Sequence, residues 1–288
     1  MVAALALITV VQAPKPPTLP PLKRVPGTIQ GRCVTMGGAP LEDVQVVISG
    51  ATQAGENVQY SVASDARGRY AVKLPAGNYR VGRANWSTPA PKGNVPYWLP
   101  LRPIDGKNDD EPGAKGIIED LVLPMSGKMK PNSDPTNINS YYGGSFGVAE
   151  GRRVKKDWLE RDRWSWPEGA KIELTLTPAS KLLDGREAKP LTVTVEREGG
   201  SGYVYDVPLA TYTVAATLVL EDGARRPLKV GVPTYFGGYS PTVRSEPEAG
   251  KFTATAALWF PAKSTDSTPL LNGTGVAGTT VYVVEEGS

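Results

Sequence analysis

Between residues 27 and 81, apolar positions alternate with polar ones over short stretches, and each stretch is stopped by a glycine- or proline-containing corner. Val44, Val46 and Ile48 alternate with Gln45 and its neighbours, Tyr60 and Val62 repeat the spacing, and Tyr70, Val72 and Leu74 follow. The corners are Gly37-Gly38-Ala39-Pro40, Asp65-Ala66-Arg67-Gly68 and Pro75-Ala76-Gly77-Asn78. A period of two places every second side chain on one face of an extended strand, and helical spacing is absent here. Glycine (32) and proline (27) make up about a fifth of the 288 residues. This exceeds ordinary usage but stays below the roughly 25–30% of low-complexity chains. With 40% hydrophobic residues the chain can bury real cores. These features predict an all-β fold of about two domains.

The residue inventory excludes several chemistries. There is no histidine and one cysteine, Cys33, so Ser-His-Asp and Cys-His sites, zinc sites built from His and Cys, and internal disulfides are all impossible. Cys33 lies in a strand-like apolar stretch and reads as a small core residue. A net charge of +3 from 32 basic and 29 acidic residues provides no electrostatic footprint for nucleic acid. No cofactor is implied.

The N-terminus reads as a leader. Val2 to Val11 is an apolar run broken by Thr9, followed by Val11-Gln12-Ala13, which has the small-residue pattern of a cleavage site. The run is too short for a bilayer, which needs ~20 residues, and no later segment would span one. The options are a signal peptide or a buried strand; residues 1–13 are expected to be a signal peptide, making the protein secreted or part of the cell envelope. Residues 14–26 are Pro-rich and predicted to be an extended spacer holding the folded part away from what precedes it.

Gly27 and Gly31, Gly38-Ala39-Pro40-Leu41, Val44-x-Val46, Asp65-x-x-Gly68-x-Tyr70 and Leu74-Pro75-x-Gly77-x-Tyr79-x-Val81 together resemble the carboxypeptidase regulatory-like domain. The resemblance covers about residues 27–86. It implies a transthyretin-like Greek-key β-sandwich belonging to a broad carbohydrate-binding-like group. The motif residues are structural and imply no catalysis. The zinc peptidase that accompanies the domain in its namesakes needs His ligands, which this chain lacks.

A weaker second copy is expected over about residues 171–218. At a constant offset of 133, Tyr70, Leu74, Pro75, Tyr79 and Val81 correspond to Tyr203, Val207, Pro208, Tyr212 and Val214, with Ala210 standing where the first copy has Gly77. Upstream, Val193 and Val195 echo Val44 and Val46. Tyr79 and Tyr212 are expected to be buried, each with its hydroxyl on backbone. The predicted architecture is two antiparallel Greek-key β-sandwich units, residues 27–122 and 141–288, joined by a loop-rich segment at 123–140. Further strands are expected over Ile117 to Leu123, Phe252 to Phe260 and Thr279 to Val284, and a short helix is conceivable over Arg152 to Trp166.

Three features invite a functional reading. Gly143-Gly144-Ser145-Phe146-Gly147 matches the G-x-S-x-G nucleophile elbow, but with no histidine to take the Ser proton it reads as a glycine-rich turn. Asp105, Asp109, Asp110 and Glu111 offer oxygen ligands, but Lys107 sits among them and would repel Ca²⁺, so a solvated loop is expected. The third is the aromatic set Trp86, Tyr97, Trp98, Tyr141 and Tyr142, with Trp158, Trp164 and Trp166 further on. Exposed Trp and Tyr rings stack on sugar faces, whereas buried ones plug module junctions. Trp98 is the foremost candidate for exposure because Pro96 and Pro100 constrain its loop. The expected function is a non-catalytic carbohydrate-binding or envelope-associated interaction module. The alternatives are a purely structural surface protein and, third, a His-free glycosidase using a carboxylate pair.

Overall fold

The computed structural model describes residues 15–90, 96–151, 165–196, 201–232, 252–260 and 278–285. Regular structure among them is strand, apart from two single turns of 3-10 helix. The first half contains β1 (Thr28–Thr35), β2 (Gln45–Thr52), β3 (Asn57–Ala63), β4 (Arg69–Lys73), β5 (Gly77–Thr88), β6 (Tyr97–Pro100), β7 (Arg102–Pro103), β8 (Glu111–Pro112), β9 (Ile117–Ile118) and β10 (Leu121–Leu123). They form two sheets, β4-β1-β10-β7 with β9 beside β1, and β3-β2-β5-β6 with β8 beside β5. Ile29, Cys33, Val46, Ile48, Tyr70, Tyr79, Val81, Leu99 and Leu121 are buried in one core, as the period-2 pattern requires. Burial pushes the Cys33 thiol up to about 12, so it stays neutral and unreactive.

The second half contains β11 (Gly144–Glu150), β12 (Lys171–Pro178), β13 (Leu191–Glu196), β14 (Ser201–Val207), β15 (Tyr212–Val219), β16 (Arg225–Gly231), β17 (Ala256–Leu258) and β18 (Thr279–Glu285). These make one sheet, β13-β12-β15-β16-β18-β11-β14, with β17 beside β15. The connectivity repeats that of the first half. β11 pairs antiparallel with β14 as β1 does with β4, and β18 runs parallel to β11 as β10 does to β1. β12 lies between β13 and β15 as β2 lies between β3 and β5. In the first half Tyr97 to Pro103 crosses between layers, with β6 on β5 and β7 on β10. In the second half β16 makes both pairings unbroken, Arg225 to Leu228 on β15 and Leu228 to Gly231 on β18, which merges the two layers into one sheet.

The fold is all-β and mainly antiparallel, with parallel pairing confined to β1–β10, β1–β9 and β11–β18 among the described residues. Several local expectations shift. Val193 and Val195 lie on β13, which takes the place of β3 rather than β2. The strand expected over 117–123 is broken. Glu119 donates its N–H to Gln30 O, and its own carbonyl takes the Tyr70 hydroxyl at 2.6 Å. Asp120 then clamps Arg32 through three hydrogen bonds of 2.6–2.9 Å. Gly31 sits under this step, where a Cβ would lie 1.8 Å from Glu119 O.

The Pro-rich segment does not stand clear of the fold. Leu19 packs on Val34, Met36 and Val122, and Arg24 donates to Gly116 O and Glu111. The helix considered over Arg152 to Trp166 falls on residues that are mostly outside the described ones, as do residues 1–14. In the C-terminal tail the expected strands appear as β17 and β18.

Candidate functional site

The aromatic positions divide by burial. Tyr97, Tyr141 and Tyr142 are buried and offer no open ring face. Tyr97 sits on β6, and its hydroxyl donates to the carbonyl of Phe260, joining the two halves of the molecule. Tyr142 donates its backbone N–H to Gly127 O, tying down the connecting segment. Trp86 is half-buried against the core beside Leu99. Trp98 points away from that core and is also half-buried. Its indole N–H is shielded and has no acceptor among the described residues, as is true of the Asn85 amide nitrogen. Trp166 is fully buried and donates to Ala170 O at 2.9 Å, so it is a plug. Trp158 and Trp164 lie outside the described residues.

Gly143 to Gly147 forms no turn. Gly144 to Gly147 opens strand β11, because Gly144 must admit the Phe260 ring, which an added Cβ would meet at 2.4 Å. Ser145 is buried within this strand and its hydroxyl has no partner among the described residues, so the geometry of a nucleophile elbow is absent. The 105–111 segment is a loop in which Asp105 accepts the Lys107 N–H at 2.9 Å. No group of three or more acidic or thiol side chains converges as a metal site among the described residues.

The exposed aromatic surface lies instead on β14. Gly202 and Val204 point inward, which turns Tyr203 and Tyr205 outward, and the irregular, left-handed backbone at Asp206 returns Val207 to the core. Tyr203 is half-exposed (51%), the only aromatic so open among the described residues. Its ring stacks on Tyr205 with centroids 6.1 Å apart and an interplanar angle of 19°. Tyr205 stacks in turn on the buried Tyr141 at 5.9 Å and 26°. Across the sheet, Tyr203 pairs with Gly147, which pairs with Thr280 on β18. With no side chain at Gly147, the Tyr203 ring lies beside an open strip of backbone.

Asp206, next along β14, fixes this end of the row. Its backbone adopts φ +61°, and its carboxylate accepts the Gly127 N–H at 2.7 Å and the Gly143 N–H at 3.2 Å. Burial outweighs these hydrogen bonds and pushes the carboxyl up to about 6. The platform was missed in the sequence because only Tyr203 entered the repeat, as the counterpart of buried Tyr70. The available signal was the Tyr203-x-Tyr205 alternation. No helix is long and apolar enough to cross a membrane among the described residues.

No protein-family model matches the chain, and no curated protein does. Solved structures show weak likenesses. A leucine-rich repeat protein from Bacteroides thetaiotaomicron matches at 15% identity and a TM-score of 0.22, over 70% of this chain and 23% of its own length. A streptococcal ancillary pilin matches at 12% and 0.26, over 91% of this chain and 62% of the pilin. The C-terminal fragment of a pilus adhesin from Lactobacillus rhamnosus matches at 12% and 0.23, over 88% of this chain and 95% of the fragment. The chain thus spans less than two thirds of the first and second of these three structures. Likenesses at these scores assign it neither a family nor a function.

Proposed function

We propose that the chain is an exported, non-catalytic module that binds carbohydrate at the cell envelope. In this reading two β-sandwich units, residues 27–122 and 141–288, are joined through 123–140 and follow a leader at 1–13. The observation that carries it is the tyrosine row ending in half-exposed Tyr203. An open aromatic face packs against sugar C–H surfaces, and a row of rings extends that face along one direction. The lack of histidine removes the commonest general base and supports a binding role over a catalytic one. The carboxypeptidase regulatory-like resemblance agrees with such a role but is only an analogy of fold.

The test is a glycan array probed with the intact protein and with Tyr203→Ala. A defined set of sugar hits that falls at least tenfold in the variant, with an unchanged melting temperature, supports the proposal. Silence across the array favours the second reading, a structural surface protein, for which the burial of Tyr97, Tyr141 and Tyr142 speaks. Release of shortened sugars would point to hydrolysis. Export is tested separately: mature protein starting near Pro14 outside the cytoplasm supports it, and an intact Met1 on cytoplasmic protein overturns it.

A further inference from the structure

The outer face of β3-β2-β5 carries a second, chemically different concavity, a trough of about 560 Å³ continuous with a smaller neighbour through Ser49, Gln59 and Arg80. Its floor is low because it is made of Val47, Ser49, Gly50 and Ala51 from β2 and Gly82 from β5. A β-bulge shapes it. The register of β2 against β5 slips between Val47 and Ile48, so that Ser49 faces Arg80 and Val47 faces Arg83. In a regular strand residues three apart point to opposite faces. Here Gly82 is the extra residue, and the bulge brings both guanidinium groups to the same outer face. Glycine keeps the bulge low, since a Cβ on Gly82 would lie 2.6 Å from Ser49 Oγ and force that hydroxyl to turn aside.

The walls are amides, Asn57 and Gln59 from β3 and Asn108 from the 105–111 loop, with Asp110 beside Arg80 at 3.6 Å. Arg83, Gln59, Asn57 and Asn108 make no side-chain hydrogen bond or ion pair within the described residues. The trough therefore presents two cations against one carboxylate, together with amides that can donate and accept at once. Vicinal hydroxyls of a sugar, each a donor and an acceptor, match such amides, and a planar anionic substituent matches a guanidinium fork.

We propose that this trough binds an acidic oligosaccharide, its carboxylate or sulfate held by Arg83 and Arg80 and its hydroxyls by the amides. The proposal borrows from the glycan-binding reading only the sugar class of the ligand, since the trough shares no residue with the Tyr203 row. An acidic peptide is the less fitting partner, because it carries no vicinal hydroxyls for the paired amides to hold.

The experiment is titration calorimetry of the intact protein with oligogalacturonate, with sulfated heparin-derived oligosaccharide, with neutral cello-oligosaccharide and with oligoglutamate. Binding of either acidic sugar, weakened at least tenfold by Arg83→Gln, partly restored in Arg83→Lys and unaffected by Tyr203→Ala, supports the proposal. Binding of oligogalacturonate, which carries carboxylate alone, names carboxylate as sufficient, and binding of the heparin oligosaccharide without that of oligogalacturonate names sulfate. Equal binding of oligoglutamate, equal binding of the neutral sugar, no binding of either acidic sugar, or an unaltered affinity in a folded Arg83→Gln protein each overturns it. Loss of acidic-sugar binding in Tyr203→Ala with Arg83→Gln unaffected would assign the sugar to the tyrosine row and likewise overturn it.

Discussion

Tyr79 and Tyr212 occupy matching corners and are both shut away from solvent, yet only the Tyr212 hydroxyl finds an acceptor. It donates to Pro208 O at 2.9 Å, whereas the Tyr79 hydroxyl is buried without a partner among the described residues. The difference follows from the corner. Gly77 passes so close beneath Tyr79 that a Cβ there would lie 2.8 Å from the hydroxyl oxygen, while the second corner carries Ala210. Tyr212→Phe should therefore cost about 1–3 kcal/mol, because it orphans a carbonyl, and Tyr79→Phe should be neutral or slightly stabilising. Chemical denaturation of the two variants checks this; a larger loss for Tyr79→Phe would contradict it. Asp206 supplies a pH test. Its carboxyl lies at about 6 in the fold against an ordinary value of 3.8, so the native state holds the proton more tightly. Its contribution to stability is therefore greatest in acid, declines as pH rises from about 4 through about 6, and is flat above about 7. Between pH 5 and pH 7.5 the wild type should lose roughly 1 kcal/mol through this group, and Asp206→Asn should not. Asn also tolerates the left-handed backbone, so the variant should gain on the wild type at neutral pH. Melting curves at the two pH values decide the matter; parallel curves would rule it out.

Two glycines on β11 make opposite predictions at the scale of the strand. Gly144 faces the Phe260 ring, and Gly147 faces an open strip where an added Cβ would make only a 3.6 Å contact with Tyr203. Gly144→Ala should destabilise by about 1–3 kcal/mol through overpacking. Gly147→Ala should be neutral or mildly stabilising, because alanine restricts the unfolded chain more than glycine does. Comparable losses in both would mean that β11 is not placed as described. The same strand shows why some elements were legible in the sequence and others not. β3, β4 and the part of β5 before Gly82 turn one face inward and the other to water, so they print a clean alternation with Asp65-to-Gly68 and Pro75-to-Asn78 corners around them. β11 carries two glycines in seven residues and follows a third, Gly143, so the segment imitates a turn. β6 and β7 hide among Pro96, Pro100 and Pro103, and their work of switching layers leaves no periodic trace. β16 begins Arg225-Arg226-Pro227, a polar start that is allowed because this end pairs only with β15. The trough was invisible for a related reason: it depends on a one-residue slip at Gly82 that brings Arg80 and Arg83 together, and spacing alone assigns them to opposite faces.

Over the whole molecule a single hydrophobic cluster runs from Ile29 to Val284 through both halves. The halves are further joined by the Tyr97 hydroxyl on Phe260 O, by Leu209 N–H on Met125 O at 3.3 Å, and by Asp206 on Gly127. Tyr97→Phe should leave each set of strands intact while loosening this seam. Hydrogen exchange is then expected to rise around Phe260 and Gly144 before it rises in β2 or β12; uniform protection loss would argue against a seam at this place. The parallel pairing of β18 with β11 has a consequence for how the chain is made. β18 is inserted between β16 and β11, about 135 residues after its parallel partner begins. On the ribosome the first ten strands can assemble as soon as Leu123 has emerged, since none of their pairings waits on later residues. The second half has no such option. Until Glu285 leaves the exit tunnel, β11 and β16 present bare edges to each other and to every neighbouring nascent chain. The C-terminal half is thus obliged to wait for β18, and this seven-residue strand acts as the latch that ends its exposure to misassembly.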